Sequence, residues 1–379
     1  MNPRPASGVL SPGLSVYLDG VRFFAALVVL LSHFAYTRFT GGDYLIIREL
    51  NLGSDAVVLF FVLSGFVIAF AAREKDGTAR RFAFSRLSRL WSVAVPALLL
   101  TLICDSAGLL RAPEFYLDTP FYNAVGGLEF WARGLSFSNH WFGENIRLGS
   151  NGPFWSLSYE AAYYLIFAVL LYLRGVARLA ALALCALAFG MNIWLLAPAW
   201  FMGVGVYALA KRLTVLEVSP VTLGALIIVP LIIYPILLAM GVAPWLRGAT
   251  YALFGPDRFA SLGFADEFVW NALIGGLFAL HLTGMSIWLK SQAFVPGPVS
   301  RHIKWLAGAS FSLYLVHYPV LQMLGATLPE TGVPVLDHAL LLGLTLVACF
   351  VFAAAFERPL PLFRRMWREA MQARRQAAT

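Results

Sequence analysis

"YLDGVRFFAALVVLLSHFAY", residues 17–36, is long enough to cross a bilayer and is oily except where a charge or an imidazole interrupts it. A helix needs about 20 predominantly apolar residues to span a hydrocarbon core roughly 30 Å thick. Arg22 near one end and His33 near the other are therefore the residues to explain. They stand 11 positions apart. On a helix that is about 1100° of rotation, three turns plus about 20°, and about 16 Å of rise. The two side chains thus share one stripe, half a bilayer apart. Taken singly, Arg22 reads as a side chain snorkelling to the headgroups, and His33 as a satisfied interior histidine. Sharing a stripe favours a common path, because ionisable groups inside a span are costly and by default face the protein interior.

The rest of the chain has the same character. Of its 379 residues 60% are hydrophobic and 13% charged, with a mean hydropathy of +0.74, a balance that argues against a water-soluble globule. Cys104, Cys185 and Cys349 sit alone in apolar surroundings, without the spacing of a disulfide framework or a zinc site, and read as packing residues. No metal is expected. The net charge is +8, but the basic residues are dispersed between apolar runs, and no soluble basic domain exists to hold nucleic acid. A lipid bilayer and anionic small molecules remain as partners. The first run retains Arg22 and is not followed by a convincing small-residue cleavage site, which reads against a removable signal peptide.

The apolar runs predict an all-α, polytopic integral membrane protein with about ten transmembrane helices. They fall near 18–37, 55–72, 91–110, 156–173, 176–196, 198–210, 220–240, 268–289, 303–323 and 338–357. Pro198 and Pro220 suit helix starts, and Pro96 and Pro230 suit kinks. With the N-terminus inside, the inner segments hold 20 of the 28 Lys and Arg and the outer segments 7, Arg22 being within a span. Cytoplasmic loops carry such an excess, which puts both termini in the cytoplasm. The stretch 111–155, aromatic and Gly-rich, reads as an outer cap. Two regions are expected: a transmembrane domain over 1–357 and a basic cytoplasmic tail over 358–379. Within the tail, "FRRMWREAMQARR" reads as a juxtamembrane helix held by anionic lipid.

The remaining polar residues of the spans sort by side. In "GSDAVVLFFVLSGFVIAF" Ser64 and Gly65 permit close approach of another helix, and Asp55 at the outer mouth serves either as a helix cap or as a site residue. In the basic loop "REKDGTARRFAFSRLSRLW", Arg86 and Arg89 are three apart on one helical face. Positive-inside bias accounts for such a pair, and so does binding of a phosphorylated cofactor. "NGPFWSLSYEAAYYLIF" places Glu160 in the outer half of its span, where a buried carboxylate needs a partner or a proton. "SFSLYLVHYPVL" places His317 in the outer half as well, with Tyr314 one turn before it; packing ahead of Pro319 is the plainer reading. Arg22, Arg86 and Arg89 thus gather at the inner side, and His33, Glu160, His317 and Asp55 toward the outer side. That division suits a molecule whose phosphates are held below and whose reactive end is delivered above. Metalloprotease, serine-hydrolase and nucleotide-loop sequences are missing.

At these residues the chain resembles the acyltransferase 3 family of integral membrane O-acyltransferases. The resemblance is carried by "YLDGVRFFAALVVLLSH" with its R-x10-H spacing, "FFVLSGFVI", "RLSRL", "GPFWSLSYE" and "FSLYLVHYPVL", spread in family order over residues 17–320. It implies a helical membrane domain that moves an acyl group, commonly acetyl, from cytoplasmic acyl-CoA to a hydroxyl of a carbohydrate or glycolipid, in the bacterial inner membrane. By position it implies that His33 is the catalytic histidine with Arg22 its partner, that Arg86 and Arg89 are the pair linked to CoA, and that Glu160 is the glutamate of the "SLSYE" segment. Asp55 stands farther from Phe60 and Phe61 than in the family's commonest form. The chain ends shortly after the last span, so an appended soluble esterase-like domain is not expected.

On that reading His33 acts as general base toward the acceptor hydroxyl, an imidazole with an ordinary pKa of about 6.5 being able to take a proton near neutrality. Arg22, Arg86 and Arg89 hold the CoA phosphates. Acetyl-CoA is then a donor substrate, with no permanently bound cofactor. Glu160 or His317 orients His33 or binds sugar hydroxyls, and Tyr314 and Asp55 belong with the substrate-binding candidates. A secondary transporter or flippase for an anionic or glycosylated solute is the rival, although no duplicated halves or matching broken helices are evident.

Overall fold

The computed structural model describes residues 9–117, 119–213 and 218–362, together with Arg365 and Glu369. The expected juxtamembrane helix over 363–375 lies outside the described residues except for Arg365 and Glu369, which pair at 2.8 Å. Among the described residues every regular element is helical. In chain order these are α1 (Pro12–Phe34), α2 (Thr37–Thr40), α3 (Ile46–Glu49), α4 (Leu52–Ala71), α5 (Ala79–Arg111), α6 (Gly127–Ser136), α7 (Trp155–Tyr172), α8 (Gly175–Ala188), α9 (Met191–Leu213), α10 (Pro220–Ala239), α11 (Val242–Ser261), α12 (Phe268–Ser291), α13 (Pro298–Ala307), α14 (Ser310–Thr327) and α15 (Pro334–Phe352).

Ten of them, α1, α4, α5, α7, α8, α9, α10, α12, α14 and α15, alternate in direction between two ends of a bundle. Contacts at the ends fix this order. At the basal end, where α1 begins, Ser11 Oγ donates to Leu289 O of α12 (3.0 Å), Tyr207 Oη of α9 donates to Glu74 just past α4 (2.7 Å), and Glu357 beyond α15 accepts from the start of α14. At the apical end His33 of α1 meets His317 of α14, and Asp55 of α4 meets Trp270 of α12 and Tyr234 of α10.

Eight of the ten are long and apolar enough to cross a membrane. The other two are α8 and α14. The first has only 14 residues, about 21 Å of helix. The second carries Ser310, Ser312, Tyr314, His317 and Gln322, all buried, so its composition answers to protein neighbours rather than to lipid. α10 is the opposite case, with 6% of its apolar window buried against 78% for α4. Its Ile228, Leu231, Ile232 and Ile236 face outward, as suits a helix against acyl chains.

Local chemistry explains the ends. Ser11 Oγ accepts from Leu14 N–H (3.2 Å) and Pro12 opens α1, so the helix starts six residues before the apolar run. Pro198 was expected to start a helix, and it lies inside α9 instead; the break falls at Phe189–Gly190. Buried neighbours re-satisfy the freed backbone groups in a membrane bundle, which is why Pro96, Pro198, Pro230 and Pro319 are tolerated within helices. The run 303–323 is likewise divided, at Gly308–Ala309, into the amphipathic α13 and the buried α14. α11 falls in a stretch with no expected helix.

α4 crosses α9 with the two backbones close together. A Cβ added at Gly65 would stand 2.0 Å from Trp200 O, and one added at Gly203 would stand 2.0 Å from Val62 O. The stretch expected as a cap packs over the apical end: Tyr116, Phe130, Phe137, His140, Leu148 and Asn151 are buried. Asn151 Nδ2 donates to Thr101 of α5 (3.0 Å), and Asp105 accepts from Ser150 N–H (2.9 Å).

Candidate active site

Three cavities lie in series along α1. The basal mouth, about 370 Å³, is lined by Arg22, Arg89, Lys304, Phe311 and Arg358 among others. It shares Arg22, Arg89 and Phe311 with a waist of about 90 Å³ that also holds Phe60, Ser64, Glu160 and Tyr314. The waist in turn shares Val57 and Tyr314 with an apical chamber of about 680 Å³, in which His33 stands. The stripe read from the 11-residue spacing is thus the wall of one conduit, with a guanidinium at its foot and an imidazole at its head.

The chamber's imidazole has a defined tautomer. His317 Nδ1 is 2.8 Å from Leu313 O. A carbonyl only accepts, so His317 Nδ1 carries the proton and Nε2 offers its lone pair. That lone pair is 2.8 Å from His33 Nδ1, which therefore donates. His33 Nε2 is left as an acceptor with no hydrogen bond among the described residues, on a ring that lines the chamber. Tyr318 and Tyr36 flank the ring at 5.1 and 5.8 Å between centroids and fix its plane.

In the waist, Glu160 Oε1 accepts from Ser64 Oγ (2.8 Å) and from Tyr164 Oη, and Trp200 Nε1 donates to Ser64 Oγ (3.2 Å). The close α4–α9 crossing brings Trp200 into reach of Ser64. Tyr314 donates to Ser156 Oγ (2.8 Å) and packs edge-on against Phe60 at 5.4 Å, pinching the passage.

At the mouth, Arg22 pairs with Asp19 at 3.4 Å. Arg89 lines the mouth and has no ion pair among the described residues. Arg86 is placed differently: its guanidinium is 3.2 Å from Asp76 and hydrogen-bonds Ser85, and it is not among the residues lining the three cavities. Asp55 also stands apart, with both oxygens taken, by Tyr234 Oη (2.7 Å) and Trp270 Nε1 (2.8 Å). Of the sequence candidates, Arg22, Arg89, Glu160, Tyr314 and His33 therefore line the conduit, His317 backs it, and Arg86 and Asp55 are tied elsewhere.

The chamber holds residues that sequence reasoning passed over. Trp155 stacks on Phe264 (4.2 Å, 9° between planes), and Arg48 lies 3.8 Å over Tyr36 and donates to Ser32 O. Glu267 accepts from Asn51 (2.5 Å), and Arg247 pairs with Asp266 (2.7 Å). Burial, with Asp266 beside it, holds the Glu267 carboxyl above the usual carboxylate range. His140, in the cap, is pushed down to about 4 by burial. Loop charges of this kind were counted only as topology, and nothing local marked them as facing a cavity.

A multi-pass helical membrane protein with an internal conduit, cationic at one end and imidazole-bearing at the other, is the class that fold and site define. The chain belongs to the acyltransferase domain family, acyltransferase 3, whose model it matches over residues 15–356. It is similar to acyltransferase MdmB of Streptomyces mycarofaciens, 34% identical over 154 residues, which is 40% of this chain and 37% of that relative. The match therefore spans little more than a third of the relative's length. No solved structure matches the chain.

Proposed function

We propose that this membrane acyltransferase moves an acyl group, acetyl in the first instance, from acyl-CoA entering at the basal, cytoplasmic end to a hydroxyl of a carbohydrate or glycolipid held in the apical chamber. The bacterial inner membrane is the bilayer it would occupy. The observation that carries the reading is the series of cavities, which joins the cations at the mouth to an imidazole nitrogen in the chamber that has no hydrogen bond among the described residues. Arg22 and Arg89 bind phosphate, and the pantetheine arm threads the waist past Glu160, whose Oε2 takes no hydrogen bond among the described residues. The thioester is thereby held beside His33, where orientation supplies much of the rate.

His33 Nε2 takes the proton of the acceptor hydroxyl as its oxygen attacks the thioester carbonyl carbon. The carbon–sulfur bond breaks, and the leaving CoA thiolate recovers that proton from the imidazolium. His317 positions the base by accepting from Nδ1–H. The chamber combines aromatic faces, Trp155, Phe264 and Tyr36, with Glu49, Asn51 and Arg247, the pairing of apolar walls with a few polar groups that orients a polyhydroxy ligand.

Purified protein given radiolabelled acetyl-CoA and candidate sugars tests the reading. Label moved to carbohydrate by the wild type and not by His33→Ala is the expected result. Solute flux into vesicles without acyl transfer would overturn it in favour of a transporter. Label trapped on His33 itself would replace the general-base step by a covalent one.

A further inference from the structure

The basal mouth is built from more chain than the arginines of α1 and α5. Lys304 reaches it from α13, and Arg358 from the turn after α15. Four cations, Arg22, Arg89, Lys304 and Arg358, face two carboxylates, Asp19 and Glu357. Both carboxylates are already committed. Asp19 pairs with Arg22, and Glu357 accepts from the backbone N–H groups of Phe311 (3.2 Å) and Ser312 (2.8 Å), where it caps the opening turn of α14. Lys304, Arg89 and Arg358 are left with no ion pair among the described residues.

Arg358 is nevertheless held in place. Its guanidinium lies 4.3 Å over the ring of Trp305 and donates to Trp305 O (3.2 Å). Its Nε is enclosed and has no acceptor among the described residues. A guanidinium held rigid at the rim of the mouth, beside an ammonium and a second guanidinium that have no ion pair among the described residues, is a site for an anion with several acceptor oxygens. One phosphate would not occupy four cations spread around a cavity of about 370 Å³; a ligand with phosphates at more than one position would.

We infer that Lys304 and Arg358, with Arg22 and Arg89, form the site for the phosphorylated adenosine end of the acyl-CoA, and that Arg86 lies outside it. The inference rests on the acyl-CoA reading above. α13 and the post-α15 turn then act as a clamp that closes the mouth around the nucleotide, while Glu357 ties that turn to α14, the helix that carries Tyr314 and His317.

The test uses the purified full chain and CoA itself, with binding measured by calorimetry in detergent and in nanodiscs containing or lacking anionic lipid. Lys304→Gln should weaken CoA binding by about 10-fold, the loss of one charge-assisted contact, and raise KM for acetyl-CoA with kcat unchanged. Lys304→Arg should restore both. Arg358→Gln should weaken binding similarly, and the thermal midpoint of each variant shows that it folds. Wild-type CoA affinity in a folded Lys304→Gln protein overturns the inference and leaves the acyltransferase reading standing. Loss of anionic-lipid retention without loss of CoA binding also overturns it, assigning the cations to headgroups. A wild type that transfers no label and binds no CoA removes the acyl-CoA reading and this site together.

Discussion

Replacing His317 by leucine removes the acceptor of His33 Nδ1–H, a contact of 2.8 Å between α1 and α14. The donor is left unmet among Tyr36, Tyr318 and the aliphatic replacement, away from bulk water. An unsatisfied buried polar group costs about 1–3 kcal/mol, and if that energy appears at the transition state the rate falls by about 5- to 150-fold. The imidazole also gains the option of carrying its proton on Nε2, the nitrogen that must accept, so raising the pH should not restore the rate. His317→Gln keeps a side-chain carbonyl able to accept from Nδ1–H, and its kcat should stay within about 5-fold of wild type. Initial rates of label transfer from acetyl-CoA by reconstituted protein, at several acetyl-CoA concentrations, separate kcat from KM. KM should not move, because the mouth cations are at the other end of the conduit. A leucine variant with wild-type kcat, or a glutamine variant as impaired as the leucine one, would show that the contact only packs the helices and would refute the positioning role.

Gly65→Ala should lower the thermal midpoint, since its Cβ would lie 2.0 Å from Trp200 O; overpacking of this kind costs about 1–3 kcal/mol, and a midpoint equal to wild type would show that α4 and α9 can separate freely. Arg89→Gln should raise KM for acetyl-CoA by about 10-fold, whereas Arg86→Gln should loosen the turn held through Asp76 and reduce stability with KM unchanged; equal KM effects would return Arg86 to the donor site. His140, at about 4 in the folded cap against about 6.5 in an unfolded chain, binds its proton later than the unfolded state does. Stability should therefore fall as pH drops from about 6.5 toward 4, by up to ~3 kcal/mol, and level off below. His140→Gln should flatten that part of the pH profile of the unfolding midpoint.

Helical periodicity made the Arg22–His33 stripe readable, and apolar length with charge bias made the alternation of helices readable, because each depends on residues close in sequence. The small pair Ser64–Gly65 likewise announced a close crossing. What stayed hidden depends on contacts across the chain. Arg86 and Arg89 share a face on any helix, yet Asp76, ten residues back around a π-helical turn, draws Arg86 away. Asp55 read equally as a cap or a site residue, and only Tyr234 and Trp270, from two distant helices, decide that its oxygens are occupied. The tautomer of His33 follows from Leu313 through His317, a relay 284 residues away. Lys304 and Arg358 were absorbed into the positive-inside count, since nothing near them in sequence distinguishes a charge at a mouth from a charge at a surface. The boundary error at Pro198 arose because proline in a well-enclosed bundle helix is tolerated, so its presence did not mark a start.

The pinch between Phe60 and Tyr314 has a bioenergetic consequence. A passage that connects both faces of an energised membrane would dissipate its proton gradient if it stood open between turnovers. With about 90 Å³ at the narrowest cavity, the acylated arm of the proposed donor would have to displace the tyrosine ring from Ser156, and the plug would be lifted by the molecule that then fills the bore. On the acyl-CoA reading proposed above, acyl groups would cross while the electrical insulation of the bilayer is kept.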